Sequence, residues 1–194
     1  MQALKRDDLM PLERYHSERG NFRREVIAHK KTRQLTLGAN ATLYFESRLS
    51  IQYQVQEMLR VERIFEAEAI QEELDAYNPL IPDGDNWKAT FMIEYPDVEE
   101  RRLALEKLVG IEHKVWVKVG ESSPVYALAD EDLERSRENK TSAVHFLRFQ
   151  LTPAQVVAAK SGAAIAIGID LPAYPHKANP IPEALRVSLV ADLA

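Results

Sequence analysis

VHFLRFQLTPAQVVAAKSGAAIAIGI, residues 144–169, is the stretch whose reading decides the fold. Val144–Leu151 alternates, with His145, Leu147, Phe149 and Leu151 on one face, as a half-buried strand requires. It runs into Thr152-Pro153-Ala154-Gln155. Thr152 caps, Pro153 takes the first helical position and Gln155 completes a capping box. Gly162 ends that helix, and Ala163–Ile169 is almost wholly apolar, as a strand buried on both faces would be. The spacing predicts a compact β-α-β unit, right-handed if its strands share a sheet in parallel.

Upstream, Trp87–Tyr95 alternates in the same way, with Trp87, Ala89, Phe91, Ile93 and Tyr95 on one side. Arg33–Leu37 and Thr42–Glu46 read as a hairpin around Gly38-Ala39-Asn40. His113–Val119 and Pro124–Ala129 read as a second around residues 120–123. Asp97 with Glu100 marks a helix start and Gly110 its end. The first thirty residues read as two short helices divided at Gly20, carrying Leu12, Tyr15, Phe22 and Val26. Asp130–Lys140 reads as a charged helical connector, 171–182 as a Pro-rich loop, and the C-terminus as an amphipathic helix with Leu185, Leu189 and Leu193. The pattern is α+β in one domain over residues 1–194: a mostly antiparallel mixed sheet with helices packed on it.

The longest periodic segment is Ser47–Tyr77, read as one long helix with Ile51, Val55, Met58, Leu59, Phe65, Ile70 and Tyr77 on its apolar face. Glu62 falls within that face, with Glu66 and Glu73 beside it. A buried carboxylate costs several kcal/mol unless paired or protonated. The helix also carries a weaker apolar stripe on its back, which suggests contact with a second copy of the protein.

Composition narrows the chemistry. The 194 residues carry a net charge of −5, which argues against nucleic acid as a partner. No cysteine is present, which excludes disulfides, thiolate zinc sites, cysteine-ligated iron–sulfur clusters and a Cys nucleophile. The N-terminus has no signal-type apolar core and the longest apolar run is too short to span a bilayer, so a cytoplasmic location is expected. There is no glycine-rich phosphate loop, dinucleotide fingerprint, His-Glu-x-x-His or nucleophile elbow.

Residues 57–90 (EMLRVERIFEAEAIQEELDAYNPLIPDGDNWKAT), 95–112 (YPDVEERRLALEKLVGIE) and 140–156 (KTSAVHFLRFQLTPAQV) resemble a bacterial family filed as domain of unknown function 3501. The resemblance extends over essentially the whole chain. It implies a small stand-alone cytoplasmic protein with genomic neighbours of rubrerythrin and iron–sulfur oxidoreductase type, and so a protein partner of redox type. It supplies no catalytic residues.

Candidate sites are therefore drawn from the residues. Glu62, Glu66 and His145 form a candidate divalent-metal or ligand site, set against salt bridging of Glu62 to Arg148 or Arg186 and a hydrogen-bonded core histidine. Tyr77, Asn78, Trp87 and Lys88, in or beside a turn-rich loop, form a candidate ligand-binding surface, set against a plain Asp83-Gly84 turn. Glu13 and His16, the basic residues Arg23 to Arg33, and Asp170, Tyr174 and His176 are secondary candidates whose bland readings are chance spacing, a solvated helix terminus and a stiff connector. The expected function is an accessory protein that binds a partner or small ligand, as a homodimer. The alternative is a metal-dependent enzyme using the Glu62–Glu66–His145 set with His16.

Overall fold

The computed structural model describes residues 2–133, 135–137 and 139–194. Among them lie six α-helices and nine strands. The helices are α1 (Leu12–Lys31), α2 (Arg48–Val61), α3 (Ala67–Tyr77), α4 (Val98–Lys107), α5 (Pro153–Lys160) and α6 (Glu183–Val190). The strands are β1 (Gln34–Leu37), β2 (Ala41–Phe45), β3 (Asn86–Ile93), β4 (Val115–Val119), β5 (Val125–Tyr126), β6 (Leu128–Ala129), β7 (Val144–Gln150), β8 (Ile165–Leu171) and β9 (Tyr174–Ala178).

The strands form two antiparallel sheets, ordered β1-β2-β3-β7-β6 and β5-β4-β8-β9. The α+β class holds, but the strands divide differently from the sequence reading. β7 and β8 flank α5 as expected, yet they belong to different sheets, so no parallel β-α-β unit exists. The capping box at Thr152 is present, with Thr152 accepting from the Gln155 amide. A helix capped this way can connect two layers as readily as two strands of one layer.

The inward faces of both sheets share one core. Leu43, Phe45, Trp87, Phe91 and Phe149 come from the first, and Val115, Val117, Ile165, Ile167 and Ile169 from the second. Each such side chain contributes roughly 1.5–3 kcal/mol on burial. Helices α4, α5 and α6 add Leu105, Ala159, Leu185 and Leu189 to the same core. The second hairpin turns a corner here. β5 pairs with β4, but after Ala127 the chain enters the other sheet, where β6 pairs with β7. Strands that switch sheets in this way make the corners of packed sheets. At the opposite edge, within the span read as a loop, β9 tolerates Pro175 because an edge strand need not donate on both sides. The Tyr174 hydroxyl donates to Leu37 O at 2.9 Å and so ties β9 to the first hairpin.

The segment 47–77 is not one helix. α2 ends at Val61 and α3 begins at Ala67. The break has a Schellman geometry: Arg63 is left-handed (φ 55°), the Ile64 amide reaches back to Leu59 O at 3.0 Å, and Ile64 packs in the cluster containing Leu59. Conversely, α1 runs unbroken through Gly20. A mid-helix glycine costs only about 1 kcal/mol, and Tyr15, Phe22 and Val26 on one face of α1 form a buried cluster with Leu49 and Tyr53. Of the connector read as helical, the described residues form bends and an isolated bridge between Arg137 and Lys140; Glu134 and Glu138 lie outside the described residues. No helix of the described residues is long and apolar enough to cross a membrane.

Candidate functional site

Because strand side chains alternate, packing Trp87, Ala89 and Phe91 inward sends Lys88, Thr90 and Met92 outward from β3. On β7 the same rule sends Phe146, Arg148 and Gln150 outward, opposite His145, Leu147 and Phe149. The register pairs Thr90 with Phe146, Lys88 with Arg148 and Asn86 with Gln150 across the two strands. This outward face floors a cavity of about 770 Å³. One wall is the end of α3 and the turn after it, contributing Ala76, Tyr77, Pro79 and Leu80. The other is the segment after β6, with Glu131 and Asp132; Glu46, Asp83 and Asp85 complete the rim.

The cations around this cavity are already committed. Lys88 donates to Pro79 O and Ile81 O, both at 2.8 Å, and pairs with Asp83 at 2.8 Å, pinning the loop over the strand. Burial pushes the Asp83 carboxyl up, but the Lys88 ammonium and the Asn86 amide outweigh it, and the net shift is downward. Arg148 grips Glu131 with two hydrogen bonds, at 2.8 and 2.6 Å, and holds its carboxyl below the ordinary range. Arg135 pairs with Asp132 at 2.6 Å, pulls it down to about 2, and lies 4.6 Å over the Phe146 ring.

Of the residues predicted to bind, Tyr77 and Lys88 line this cavity. Asn78 does not: its amide pairs with the Leu4 backbone, accepting at 2.8 Å and donating at 3.0 Å. Trp87 is fully buried and donates from Nε1 to Leu189 O at 2.8 Å. Its place in the alternation had already put it inward. Glu46, Phe146, Arg148, Glu131 and Asp132 were missed as site residues. The signal for Phe146 was present, since it is a large aromatic side chain on the outward face of β7.

The predicted metal set does not assemble. Glu62 is exposed at the C-cap of α2, Glu66 is exposed at the start of α3, and neither forms a salt bridge among the described residues. The break at Arg63 rotates both off the apolar stripe that a continuous helix would have given them. Arg148 and Arg186, suggested partners of Glu62, instead pair with Glu131 and Glu183. His145 is fully buried as expected, but among different groups. Its Nδ1 lies 2.6 Å from Asp130 Oδ2, and its Nε2 lies 2.9 Å from Thr141 Oγ1 and 3.1 Å from Ser142 O. Buried Glu112 accepts from Ser136 at 2.5 Å and from Thr141 at 3.1 Å. Among the described residues no group of three or more His, Asp or Glu side chains is arranged to hold a metal ion.

The secondary candidates are dispersed. Glu13 and His16 are exposed on α1. Of the basic cluster, Arg33 is buried and ion-paired with Asp192 beyond α6, where it also donates to Phe45 O, Glu46 O and Ser188 O. Desolvation raises the Asp192 carboxyl despite that pairing. Asp170 accepts from the Tyr126 hydroxyl at 2.7 Å, and His176 is exposed.

Comparison with known proteins agrees with the fold and stays silent on activity. A crystal structure of a novel protein of unknown function from Burkholderia pseudomallei K96243 is similar over 100% of both chains, with 49% identity and a TM-score of 0.93. Among curated proteins none matches the sequence. The family model described as protein of unknown function (DUF3501) matches residues 3–193, and the chain belongs to that family.

Proposed function

We propose that this protein is a cytoplasmic accessory protein that binds a small ligand or a segment of a partner in the cavity on the outward face of β3 and β7. The carrying observation is the cavity itself. It has about 770 Å³ of space, an apolar side made by Tyr77, Leu80 and Phe146, and a rim of fixed charges. Sites of this size, with apolar walls and few well-placed polar groups, are the usual form of small-molecule pockets. Any link to redox or iron metabolism would run through what is bound, because the chain has no cysteine to carry thiol chemistry. The test is a metabolite and fragment panel read by amide chemical shifts of the labelled protein. Shifts confined to Tyr77, Lys88, Phe146 and Arg148 support the reading; binders that perturb only other surfaces overturn it.

A homodimer belongs to the same proposal, and it is supported by the corner between α2 and α3. Val61 and Phe65 are 56% and 65% exposed there, beside partly buried Leu9, Leu12 and Ile64. Clustered apolar exposure of this kind marks association surfaces. Sedimentation should give a dimer that Phe65→Glu dissociates; a wild-type monomer across the micromolar range sinks this part.

A further inference from the structure

The charges lining the cavity do not cancel. Five carboxylates line it, Glu46, Asp83, Asp85, Glu131 and Asp132, against two cations, Lys88 and Arg148. Asp83, Glu131 and Asp132 are taken by Lys88, Arg148 and Arg135. Glu46 differs from these three. It accepts from Thr90 Oγ1 at 2.8 Å and from Ser50 Oγ at 2.6 Å, so both oxygens are held in place by neutral hydroxyls. No Lys, Arg or His side chain forms a salt bridge with it among the described residues. Glu46 also lines a second cavity of about 480 Å³ on the same sheet face, between Thr90 and the end of α1. It is thus an oriented, half-buried negative charge at the junction of two open spaces.

We propose that the cavity takes an organic cation, an ammonium or guanidinium on an apolar body, with its charge on Glu46. This rests on the cavity being the ligand site and adds the class of ligand. The apolar body has Tyr77, Leu80 and Phe146 to lie against. A charge-assisted hydrogen bond to a carboxylate that is already oriented is among the stronger polar contacts available. An anionic ligand would meet the Glu46 carboxylate, which no salt bridge among the described residues neutralises, and find both cations of this cavity engaged. Lys30, Lys31 and Arg33 line only the second cavity. A neutral ligand would leave the Glu46 charge without a counterion. The sheet face already carries one such contact, the Arg135 guanidinium over Phe146.

The test titrates the isotope-labelled full chain with hexylammonium, butylguanidinium, hexanol and hexanoate, following amide shifts. The two cations should shift Lys88, Ala89, Phe146 and Arg148, and bind at least roughly tenfold more tightly than hexanol or hexanoate. Glu46→Gln should weaken both cations by roughly the same factor and leave hexanol unchanged. Glu121→Gln, on a turn of the other sheet, should change nothing. Should Glu46→Gln not fold, the salt dependence of the wild type decides: added salt must weaken the cations and spare hexanol. An acetylated Leu-Arg-Leu amide peptide separates the two sources of a guanidinium. Tighter binding than butylguanidinium assigns it to a protein segment, and equal or weaker binding to a free small molecule. Hexanoate or hexanol matching the cations, cations undiminished in folded Glu46→Gln, or wild-type cation binding insensitive to salt overturns the inference while the cavity remains a ligand site. If none of the four compounds moves the cavity amides, the inference and the cavity reading fall together.

Discussion

His145 and Asp130 make a buried side-chain hydrogen bond, Nδ1 to Oδ2 at 2.6 Å, that anchors the segment after β6 to β7. The other ring nitrogen, Nε2, lies 2.9 Å from Thr141 Oγ1 and 3.1 Å from Ser142 O, so both ends of the ring are held. Glu112 lies 3.8 Å beyond on the Nε2 side, placing the imidazole between two carboxylates. Asp130 does more than pair. Its Oδ1 accepts from the Phe146 amide at 3.0 Å and from Arg135 at 3.2 Å, and its backbone is left-handed at φ 52°. Phe146 lines the proposed ligand cavity and Arg135 holds Asp132 of its rim, so this network sets one of its walls.

Removing the carboxylate therefore has two costs. Asp130→Ala leaves the buried His145 ring, the Phe146 amide and Arg135 without their acceptor and puts a residue without local side-chain support in the left-handed region, for a loss of about 3 kcal/mol. Asp130→Asn retains an acceptor and a side chain that tolerates that backbone, so its loss is smaller, about 1–2 kcal/mol. Urea unfolding midpoints should rank wild type above Asn above Ala. Coincident midpoints would show that the network holds nothing in place.

A second prediction concerns acid. Glu57 on α2 takes two hydrogen bonds from Arg19 at 2.7 Å and one from the Tyr15 hydroxyl at 2.6 Å. The Arg19 guanidinium chiefly holds its carboxyl down, from an ordinary 4.5 to about 2. A carboxylate depressed on folding contributes stability that is fully present above its unfolded value. That stability is lost as pH falls through the folded one. The brace between α1 and α2 should thus weaken between pH 4.5 and about 2, by about 1 kcal/mol, because solvent screens the partly exposed pair. Glu57→Gln should flatten the stability profile across that window. An unchanged slope in the variant would place acid sensitivity elsewhere.

What the sequence revealed follows from what periodicity encodes. A period of two states which side chains share a face, so the inward rows of β3 and β7 and the first hairpin were legible before any coordinates. It does not state which strand lies beside which, and the partition of β7 and β8 between two sheets was therefore hidden. Caps built from local chemistry, at Asp97 and Thr152, were equally legible. The end of α2 was not, because an arginine rather than a glycine or asparagine occupies its left-handed position. That one residue moved Glu62 from an expected core position to solvent. The cavity wall at Glu131 and Asp132 depends on contacts with β7 from a segment too charged to show any periodicity.

A third prediction tests the packing of the smaller sheet. On its outward face Trp116 packs close over Gly168, its neighbour in the register. A Cβ at Gly168 would sit 2.4 Å from Trp116 Cζ2 and 3.0 Å from His176 O. Gly168→Ala must push the indole aside, costing roughly 1–3 kcal/mol. The displaced Trp116 should report it as a change in fluorescence, while Trp87 stays buried against Leu189. A variant as stable as wild type with unchanged emission would show that the indole has room to move.

The break after α2 can be tested by the sign of one substitution. Arg63 holds φ 55°, a conformation that costs an L-residue roughly 1–2 kcal/mol and glycine almost nothing. If the helix stops here, Arg63→Gly should stabilise the protein by about 1 kcal/mol, less what glycine adds to the freedom of the unfolded chain. If the chain instead ran on as one helix through residue 63, the same change would place glycine in a helix interior and destabilise by about 1 kcal/mol. Glu62→Gln provides the companion test, since an exposed cap residue should shift stability by less than about 0.5 kcal/mol. A buried Glu62 on a continuous helix would give a large effect. Denaturant midpoints of the two variants thus discriminate the broken helix from the unbroken one, and a destabilised Arg63→Gly together with a strongly perturbed Glu62→Gln would reject the Schellman stop.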